Sequence, residues 1–400
     1  MTDPAAEPAR GSPGLPGAGG AADGAVGGSP GAGPDGEGSS STAIGFGSTR
    51  APLAAVHDVA LLDLDGVVYV GPDAVPHAAE SLDRALAEHG MRSAFVTNNA
   101  SRPPSAVAEH LRVLGIRAAD TDVVTSAQAG ARMLAERIPP GAAVLAIGGP
   151  GVSEALEERG LRPVRSADDD PVAVLQGYGP DVSWRDLAEG SLTIARGGLF
   201  VATNLDRTIP TPRGRVLGNG AMVAALRHGT GVDPLVAGKP EPPLMVESVA
   251  RSGARRPLVV GDRLDTDIEG ATRVGIPSLL VLTGVTTWQD LLGAPPELRP
   301  THVGWDLRAL LEPAPAVDVR SSADSVEARC GRAAAHAPIR PRTGPAPGTA
   351  GREWLPPRWR VSGSLGQPEL EVVRALVALA WATADRGAQV AGLATVRSGG

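Results

Sequence analysis

The feature that most constrains the fold is an apolar run that ends in two carboxylates, Asp63-Leu64-Asp65-Gly66. Residues 59–62 are aliphatic without alternation, which is typical of a strand buried on both faces. Side chains of a strand repeat every second residue, so Asp63 and Asp65 are expected on the same side. Two adjacent acids repel each other unless a metal ion, a shared proton or a cationic group lies between them. This strand end is therefore a candidate reaction centre.

The spacing of apolar residues predicts an α/β fold. From about residue 56, short apolar strands alternate with amphipathic helices, for example a helix over 77–89 followed by a strand over 92–97. This alternation is typical of a parallel sheet with helices on both faces. A second set of such elements occupies 103–236, and the first pattern resumes with a strand at 257–260. We therefore predict one α/β unit inserted into another.

Both ends of the chain differ in composition from the middle. Residues 1–52 are rich in Gly, Pro, Ala and Ser, which predicts a disordered N-terminal segment. Residues 313–366 are rich in Pro, Ala and Arg and are predicted to form a linker. Residues 367–400 are predicted to be a C-terminal helical segment, with one amphipathic helix over 369–384 capped near Gln367.

Charge and composition exclude several classes of protein. The net charge of −7 argues against a general nucleic-acid binder. The single cysteine, Cys330, excludes an intramolecular disulfide and a cysteine-rich zinc site. The N-terminus lacks the basic start and apolar stretch of a secretory signal, and the longest apolar run near the C-terminus is too short for a bilayer. We expect a cytoplasmic protein with neither a nucleic-acid nor a membrane partner.

Polar side chains follow four predicted strands or loops at positions where chemistry is expected. They are Asp63 and Asp65; Thr97, Asn98 and Asn99; Lys239; and Asp262 with Asp267. Ligands of open α/β sheets bind beyond the carboxyl ends of the strands. The four sites are therefore expected to converge on one pocket, although they are spread over the sequence.

Each of these sites has a simpler alternative. Lys239 is the only lysine among 37 basic residues, and its compact ammonium suits a point contact with phosphate or carboxylate, but it could also be a surface residue. Thr97 to Asn99 could be a helix cap, and Asp267 could be an ordinary acid at a helix start. A calcium loop is excluded, because Val68 stands where that loop needs Gly and Ala74 where it needs Glu.

Taken together, Asp63-Leu64-Asp65-Gly66, Val-Thr-Asn-Asn at 96–99, Gly-Lys-Pro-Glu at 238–241 and Gly-Asp-Arg-Leu-Asp-Thr-Asp at 261–267 resemble the motifs of the haloacid dehalogenase-like phosphatases. The residues of these motifs are most similar to those of subclass IIA, which includes 4-nitrophenyl, phosphoglycolate and glycerol-3-phosphate phosphatases. The resemblance implies a Rossmann-like catalytic core over 53–102 and 237–312 and an α/β cap domain over 103–236.

The resemblance also implies a role for each motif residue. Asp63 would be the nucleophile that forms an aspartyl-phosphate, and Asp65 the general acid and base. Mg²⁺ would bind Asp63, Asp65 through its backbone carbonyl, and Asp262. Phosphate binding would fall to a set formed by Thr97, Asn98, Asn99 and Lys239. Lys239 would also stabilise charge, and Asp267 would orient Lys239 or metal-bound water.

The implied substrate is a small phosphate monoester, with glycerol 3-phosphate and 2-phosphoglycolate as the leading candidates. The cap would restrict the pocket to small esters, and substrate choice is expected in residues 204–211 and 218–222. The alternatives are a sugar-phosphate phosphatase or phosphotransferase of the same superfamily, or an interaction scaffold that uses the terminal tails. A homodimer through the cap is a further expectation.

Overall fold

The computed structural model describes residues 46–211, 213–341, 368–390 and 395–397. The described strands are β1 (Val59–Leu62), β2 (Tyr69–Val70), β3 (Asp73–Ala74), β4 (Arg92–Thr97), β5 (Val123–Thr125), β6 (Ala143–Ile147), β7 (Arg162–Val164), β8 (Ala173–Gln176), β9 (Leu199–Ala202), β10 (Thr208–Thr211), β11 (Gly214–Leu217), β12 (Leu235–Val236), β13 (Pro257–Gly261), β14 (Ser278–Val281), β15 (His302–Gly304), β16 (Val317–Ser321), β17 (Ser325–Cys330), β18 (Ala333–Pro341), β19 (Ala388–Val390) and β20 (Thr395–Arg397). The described α-helices are α1 (Leu53–Val56), α2 (Ala78–His89), α3 (Pro104–Val113), α4 (Ser126–Ala135), α5 (Pro150–Glu158), α6 (Trp184–Ala195), α7 (Asn219–Thr230), α8 (Pro242–Ser252), α9 (Glu269–Arg273), α10 (Trp288–Leu291) and α11 (Leu370–Asp385). A π-helix spans Leu264–Ile268, and short 3-10 helices span Asp120–Asp122, Ala167–Asp169, Pro296–Leu298 and Leu307–Leu311.

The core is a six-stranded parallel sheet in the order β15-β14-β13-β1-β4-β5. Its central strand β1 is buried along its whole length, as the unbroken aliphatic run predicts. Strand β5 and helix α3 precede the cap in sequence but belong to this core. The predicted cap boundary at residue 103 is therefore wrong, because residues 123–125 pair with β4 before the chain leaves the core sheet.

The cap has its own five-stranded sheet in the order β12-β9-β8-β6-β7, and all of its described pairings are parallel. The antiparallel hairpin β10–β11 extends from it between β9 and α7. Two separate sheets, each with helices packed on it, confirm the predicted α/β fold with an inserted α/β unit.

The predicted linker over 313–366 is wrong for its first part. Residues 317–341 form the antiparallel strands β16, β17 and β18, whose alternate side chains are buried beneath α11. Alternation of small apolar residues, such as Val326, Ala328 and Cys330, makes one face of this sheet, a pattern that the high Pro and Arg content of the segment concealed. Residues 342–367 lie outside the described residues.

The C-terminal helical segment also needs correction. Helix α11 begins at Leu370, close to the predicted start, but it is buried on almost all sides rather than amphipathic. Strands β19 and β20 follow it and pair with β18, so the segment is not purely helical. The predicted cap at Gln367 lies outside the described residues.

The predicted disorder of residues 1–52 is wrong at its C-terminal end. The ring of Phe46 lies 4.8 Å from that of Trp381 in α11. Backbone hydrogen bonds of 2.8 Å join Gly47 to Thr301 and Thr49 to Ala314. These contacts fix residues 46–52 against the core, whereas residues 1–45 lie outside the described part of the chain. Among the described helices, none has the length and apolar character needed to cross a membrane.

Candidate active site

The only lysine of the chain lies at the centre of a carboxylate cluster. The Nζ atom of Lys239 donates to Asp63 Oδ1 at 2.6 Å and to Asp267 Oδ1 at 2.7 Å. It also donates to the Val96 carbonyl at 3.3 Å, and the residue is only 4% exposed. Asp63 follows β1, Asp267 lies in the π-helix after β13, and Lys239 precedes α8. The structure therefore brings three of the four predicted strand-end sites into direct contact, and the surface alternative for Lys239 is wrong.

Asp262 completes the cluster. Carboxylate oxygens of Asp63, Asp262 and Asp267 all lie within 4.8 Å of one another. One oxygen of Asp262 accepts a hydrogen bond of 2.7 Å from the Val285 backbone, while the other, Oδ1, is buried and has no protein partner among the described residues. Gly66, with φ +88°, leaves the space for this carboxylate, because a Cβ there would lie 2.5 Å from Asp262 Oδ2.

The electrostatics follow from three acids that surround one base. Burial raises the pKa of Asp262 to about 7, and the neighbouring charges of Asp267 and Asp63 add to the rise. Burial also raises the pKa of Asp267, and the Lys239 ammonium limits that increase. For Lys239 burial alone would lower the pKa, but the charges of Asp267 and Asp63 outweigh it and raise the pKa above its usual value. The raised pKa keeps Lys239 protonated, so that an ammonium lies among the three carboxylates.

Asp65 lies outside this cluster and is exposed. Desolvation still raises the pKa of its carboxyl, against an opposing hydrogen bond from the Gly71 backbone. A raised pKa favours a carboxyl group that can hold a proton and release it again. Its backbone forms a bridge with Tyr69 in β2, and the ring of Tyr69 packs edge-on against His110 at 5.1 Å. Asp63 and Asp65 therefore have different environments, as two different roles require.

The loop after β4 holds Thr97, Asn98 and Asn99 at the same end of the sheet. Thr97 Oγ1 accepts from the Asn99 N–H at 3.0 Å, and Asn99 Oδ1 accepts from the Ser101 N–H at 2.8 Å. The Asn98 amide accepts from the Lys239 N–H at 2.8 Å and donates to the Lys239 carbonyl at 3.1 Å. The Asn98 side chain is thus occupied with holding the lysine loop, and Asn99 with shaping its own turn.

The cap closes over this loop through Asn204 and Asp206. The Asn204 amide donates to the Asn98 carbonyl at 2.7 Å, and Asn98 donates to Asp206 Oδ2 at 3.3 Å. Burial raises the pKa of Asp206, and the charge of Arg263 opposes the rise. Residues 204 and 206 of the predicted range 204–211 therefore lie next to the site. Asp206 lies in the pattern Asn-Leu-Asp, shortly after a strand that is buried except at its first residue, and this was the available sequence signal.

The loop over 283–285 was missed by sequence reasoning. Thr283 Oγ1 donates to the Gly66 carbonyl at 2.6 Å, and the Val285 N–H holds Asp262. The loop follows β14, the strand next to β13, so it reaches the same end of the sheet. Its residues, Thr-Gly-Val, carry no charge, and only their position after a buried strand could have indicated them.

The donor set of the cluster fits a divalent cation that prefers oxygen. Three carboxylates and one ammonium leave an excess of negative charge, and Asp262 Oδ1 is a buried acceptor that lacks a partner among the described residues. Carboxylate oxygens are the ligands that Mg²⁺ selects. Asp63 and Asp262 are the better candidates for ligands, because Asp267 is occupied by Lys239 and by the Arg263 N–H at 3.1 Å.

Comparison with known proteins gives the family of this chain. The model of the haloacid dehalogenase-like hydrolases matches residues 60–162, and a second, HAD-hydrolase-like model matches residues 236–310. The chain is 52% identical to D-glycerol 3-phosphate phosphatase of Mycobacterium tuberculosis over 258 residues. This alignment covers 64% of this chain and 72% of that protein. The chain belongs to the haloacid dehalogenase-like hydrolases. The two matched segments contain the four motifs and flank most of the cap.

Further relatives of this hydrolase are phosphatases too. Acid sugar phosphatase of Staphylococcus aureus is 40% identical over 233 residues, 58% of this chain and 88% of that protein. A crystal structure of glycerol phosphate phosphatase from Mycobacterium tuberculosis in complex with magnesium matches with a TM-score of 0.69 and 42% identity, covering 83% of this chain and 93% of that one. The 4-nitrophenylphosphatase of Thermotoga maritima matches with a TM-score of 0.59 at 29% identity, covering 65% and 98%. The predicted family and the predicted class of phosphoric monoester hydrolase are confirmed.

Proposed function

We propose that this phosphatase hydrolyses glycerol 3-phosphate in a Mg²⁺-dependent reaction through an aspartyl-phosphate on Asp63. The observation that carries the proposal is the Lys239 ammonium, held 2.6 Å from Asp63 and 2.7 Å from Asp267 beside the buried Asp262. A nucleophilic carboxylate must approach an anionic phosphoryl group, and this requires positive charge at the point of contact. The Asp63 side chain is 16% exposed, so a phosphate ester can reach it, while the Lys239 ammonium beside it is buried.

The residues of the chain supply the rest of the chemistry. Asp63 attacks phosphorus, and the bond to the leaving oxygen breaks as Asp65 gives its proton to that oxygen. Asp65, now ionised, takes a proton from water, which attacks the aspartyl-phosphate and releases inorganic phosphate and Asp63. Its raised pKa suits both steps, because the carboxyl must hold a proton in one step and accept one in the next. Lys239 stabilises negative charge on Asp63 and the phosphoryl oxygens, and Asp267 holds Lys239 in place.

The Mg²⁺ ion would be held by Asp63, Asp262 and the backbone of Asp65, and when bound it supplies positive charge against the phosphoryl oxygens. On the protein side, Thr97 with the backbone N–H groups of its loop is the best placed to bind those oxygens. The side chains of Asn98 and Asn99 act indirectly, through the lysine loop and the turn that they stabilise.

The substrate assignment is supported by similarity and by the cap. The relative that is 52% identical is named D-glycerol 3-phosphate phosphatase, and its match spans 258 residues. The loop after β4, residues 97–102, is called the phosphate loop here. Asn204 and Asp206 of the cap lie against it, so a ligand at Asp63 meets the cap as well as the core. Such a site admits a small ester and contacts its leaving group.

The test is kcat/KM for a panel of phosphate monoesters with Mg²⁺: glycerol 3-phosphate, 2-phosphoglycolate, glucose 6-phosphate and 4-nitrophenyl phosphate. We expect the highest value for glycerol 3-phosphate and no activity in Asp63→Asn. A higher value for 2-phosphoglycolate would overturn the substrate assignment. Absence of hydrolysis for the whole panel would overturn the reaction class.

A sugar phosphate is the second candidate substrate. Its support is the 40% identity to an acid sugar phosphatase, over 88% of that protein. The same panel decides between them, since glucose 6-phosphate would then exceed glycerol 3-phosphate. Transfer of the phosphoryl group to a second sugar, rather than to water, would appear as a new sugar phosphate among the products.

We further propose that the protein is cytoplasmic, binds no nucleic acid and forms a homodimer through its cap. The dimer is supported by large apolar side chains that the cap exposes, Trp184 at 82% and Leu217 at 72%. The net charge of −7 supports the absence of a nucleic-acid partner. Light scattering of the purified protein tests the dimer, and Trp184→Ser should shift it to monomer; cell fractionation tests the location.

A further inference from the structure

A second buried ionic cluster lies away from the reaction centre, around Glu247. The residue is 1% exposed, and its carboxylate is bound by three arginines. Arg132 donates to Oε2 at 3.1 Å, while Arg159 and Arg251 both contact Oε1. Carboxylates are rarely buried to this extent without a specific partner, and this one has three.

The three arginines come from three separate parts of the chain, in the cap and in the core elements next to it. Arg132 lies in α4, which carries the chain from the core sheet into the cap. Arg159 follows α5, the first helix of the cap sheet. Arg251 and Glu247 lie in α8, the first core helix after the cap. Glu247 therefore joins the outgoing connection, the cap and the returning connection at one point.

The start of α5 contacts the phosphate loop. The Gly151 N–H donates to the Ser101 carbonyl at 3.1 Å. A Cβ at Gly151 would lie 2.6 Å from the carbonyl oxygens of Ala100 and Arg102, so only glycine allows this approach. One end of α5 thus packs on the loop that carries Thr97, and residue 159 at its other end is bound to Glu247.

Helix α8 makes a matching connection to the lysine loop. It begins at Pro242, three residues after Lys239, and the Leu244 N–H bonds to the Ala237 carbonyl at 2.9 Å. Glu247 lies in the second turn of this helix. A displacement of Glu247 would therefore be transmitted through α5 to the phosphate loop and through α8 to the loop of Lys239.

We propose that Glu247 is a positioning residue of the active site, which fixes the phosphate loop and the Lys239 loop relative to each other through α5 and α8. This inference rests on the proposed phosphatase function. Its role is distinct from general stability, because the two helices that Glu247 joins end at two halves of one binding site. Misplacement of reacting groups by about 1 Å is enough to lower a rate by about 100-fold.

The experiment compares Glu247→Gln and Arg159→Met with the control Glu88→Gln. Glu88 also pairs with an arginine, Arg84 at 2.8 Å, but on the exposed surface of α2. For each variant, kcat and KM for 4-nitrophenyl phosphate, the affinity for inorganic phosphate by calorimetry with Mg²⁺ present, and the Tm are measured. We expect Glu247→Gln and Arg159→Met to lower kcat/KM by about 10- to 100-fold and to weaken phosphate binding, with Glu88→Gln unchanged. Arg159→Lys should restore part of the loss, since it keeps the charge.

A purely structural role predicts another result. If Glu247→Gln and Arg159→Met lowered the Tm but left kcat, KM and phosphate affinity within about twofold of wild type, the inference would be wrong. Gly151→Ala gives a second probe at the far end of α5, away from the ionic cluster. It should weaken phosphate binding with Glu247 intact, and unchanged binding would contradict transmission through α5. Absence of turnover in wild type would overturn the proposed function, while phosphate affinity would still decide the role of Glu247.

Discussion

The two buried ionic clusters of this phosphatase are opposites in charge. The cluster at Lys239 places one ammonium among carboxylates, and the cluster at Glu247 places one carboxylate among guanidinium groups. They are only eight positions apart in the chain, on either side of the start of α8. Both clusters are buried, and both combine residues from distant parts of the sequence. These two properties therefore do not distinguish one cluster from the other.

The two clusters differ in whether their positive and negative charges balance. At the Glu247 cluster, Arg132 also pairs with Glu136 at 2.8 Å and Arg251 with Glu158 at 2.7 Å, so that three acids balance three arginines. At Lys239 three aspartates face one ammonium, which leaves two negative charges when all are ionised. A balanced buried cluster is complete without a ligand, whereas an unbalanced one stabilises a bound cation. This difference in charge supports the two proposals, that the Lys239 cluster carries out the reaction and that the Glu247 cluster positions its loops.

The largest expected effect is the loss of the nucleophile. Asp63→Asn should lower kcat by at least about 10⁴-fold, because an amide neither attacks phosphorus nor accepts the phosphoryl group. Steady-state hydrolysis of glycerol 3-phosphate measures it, with retained circular dichroism as the check on folding. Residual activity above a tenth of wild type would contradict the role of Asp63.

Removal of the Lys239 ammonium tests whether the three carboxylates of this cluster need a positive charge from the protein. Lys239→Met should lower kcat by about 10²- to 10³-fold, since three carboxylates then face the phosphoryl group without protein counter-charge. Lys239→Arg should not restore full activity, because the planar guanidinium fork does not fit a site that is 4% exposed. An arginine variant with wild-type kcat would contradict the requirement for a compact ammonium.

The metal requirement should depend on Asp262. Asp262→Asn should raise the half-saturating Mg²⁺ concentration by at least about tenfold, because the buried Oδ1 loses its charge. Titration of activity with Mg²⁺ measures this, and Asp318→Asn on an exposed strand provides the control. Equal Mg²⁺ dependence in both variants would remove Asp262 from the metal site.

The smallest effect concerns His302, a buried base without a carboxylate partner among the described residues. Burial lowers its pKa to about 4, and the charges of His57 and Arg374 add to the effect. Between pH 6.5 and 4 the unfolded chain binds a proton that the folded chain does not. The free energy of unfolding should therefore decrease by on the order of 3 kcal/mol as the pH is lowered through this range. Urea unfolding at several pH values tests this, and His302→Gln should flatten the slope, whereas His336→Gln on the exposed strand face should not.

Much of the site could be predicted from sequence because its residues follow buried strands. Asp63 and Asp262 each come directly after an aliphatic run, and parallel strands carry their ends to one edge. Lys239 could be singled out by composition, as the only lysine of the chain, although the strand before it, β12, has only two residues. The role of the Asn98 side chain could not be foreseen, because its partners depend on how residues 141 positions apart meet.

The boundaries of the fold were less predictable than its class. Strand β5 has three residues between two helices, too short for a pattern to assign it to the core or the cap. Strands β16 to β18 are rich in Ala and Arg, which do not favour strands strongly enough to predict one. Their apolar side chains are buried by α11, which begins some 30 positions later in the chain. The local sequence of these strands does not show which distant segment will pack on them. The cluster at Glu247 is likewise assembled from helices whose individual patterns are unremarkable.

The most direct test of the central claim is a burst experiment with 4-nitrophenyl phosphate. Nitrophenolate leaves without a proton donor, so Asp65→Asn should release about one equivalent per enzyme and then slow, because the aspartyl-phosphate on Asp63 lacks its general base. Asp63→Asn should show no burst, and acid-quenched Asp65→Asn should carry phosphate on Asp63 by mass spectrometry. Failure of Asp65→Asn to form a phosphoenzyme, with the same loss of turnover as Asp63→Asn, would contradict the division of roles between the two aspartates.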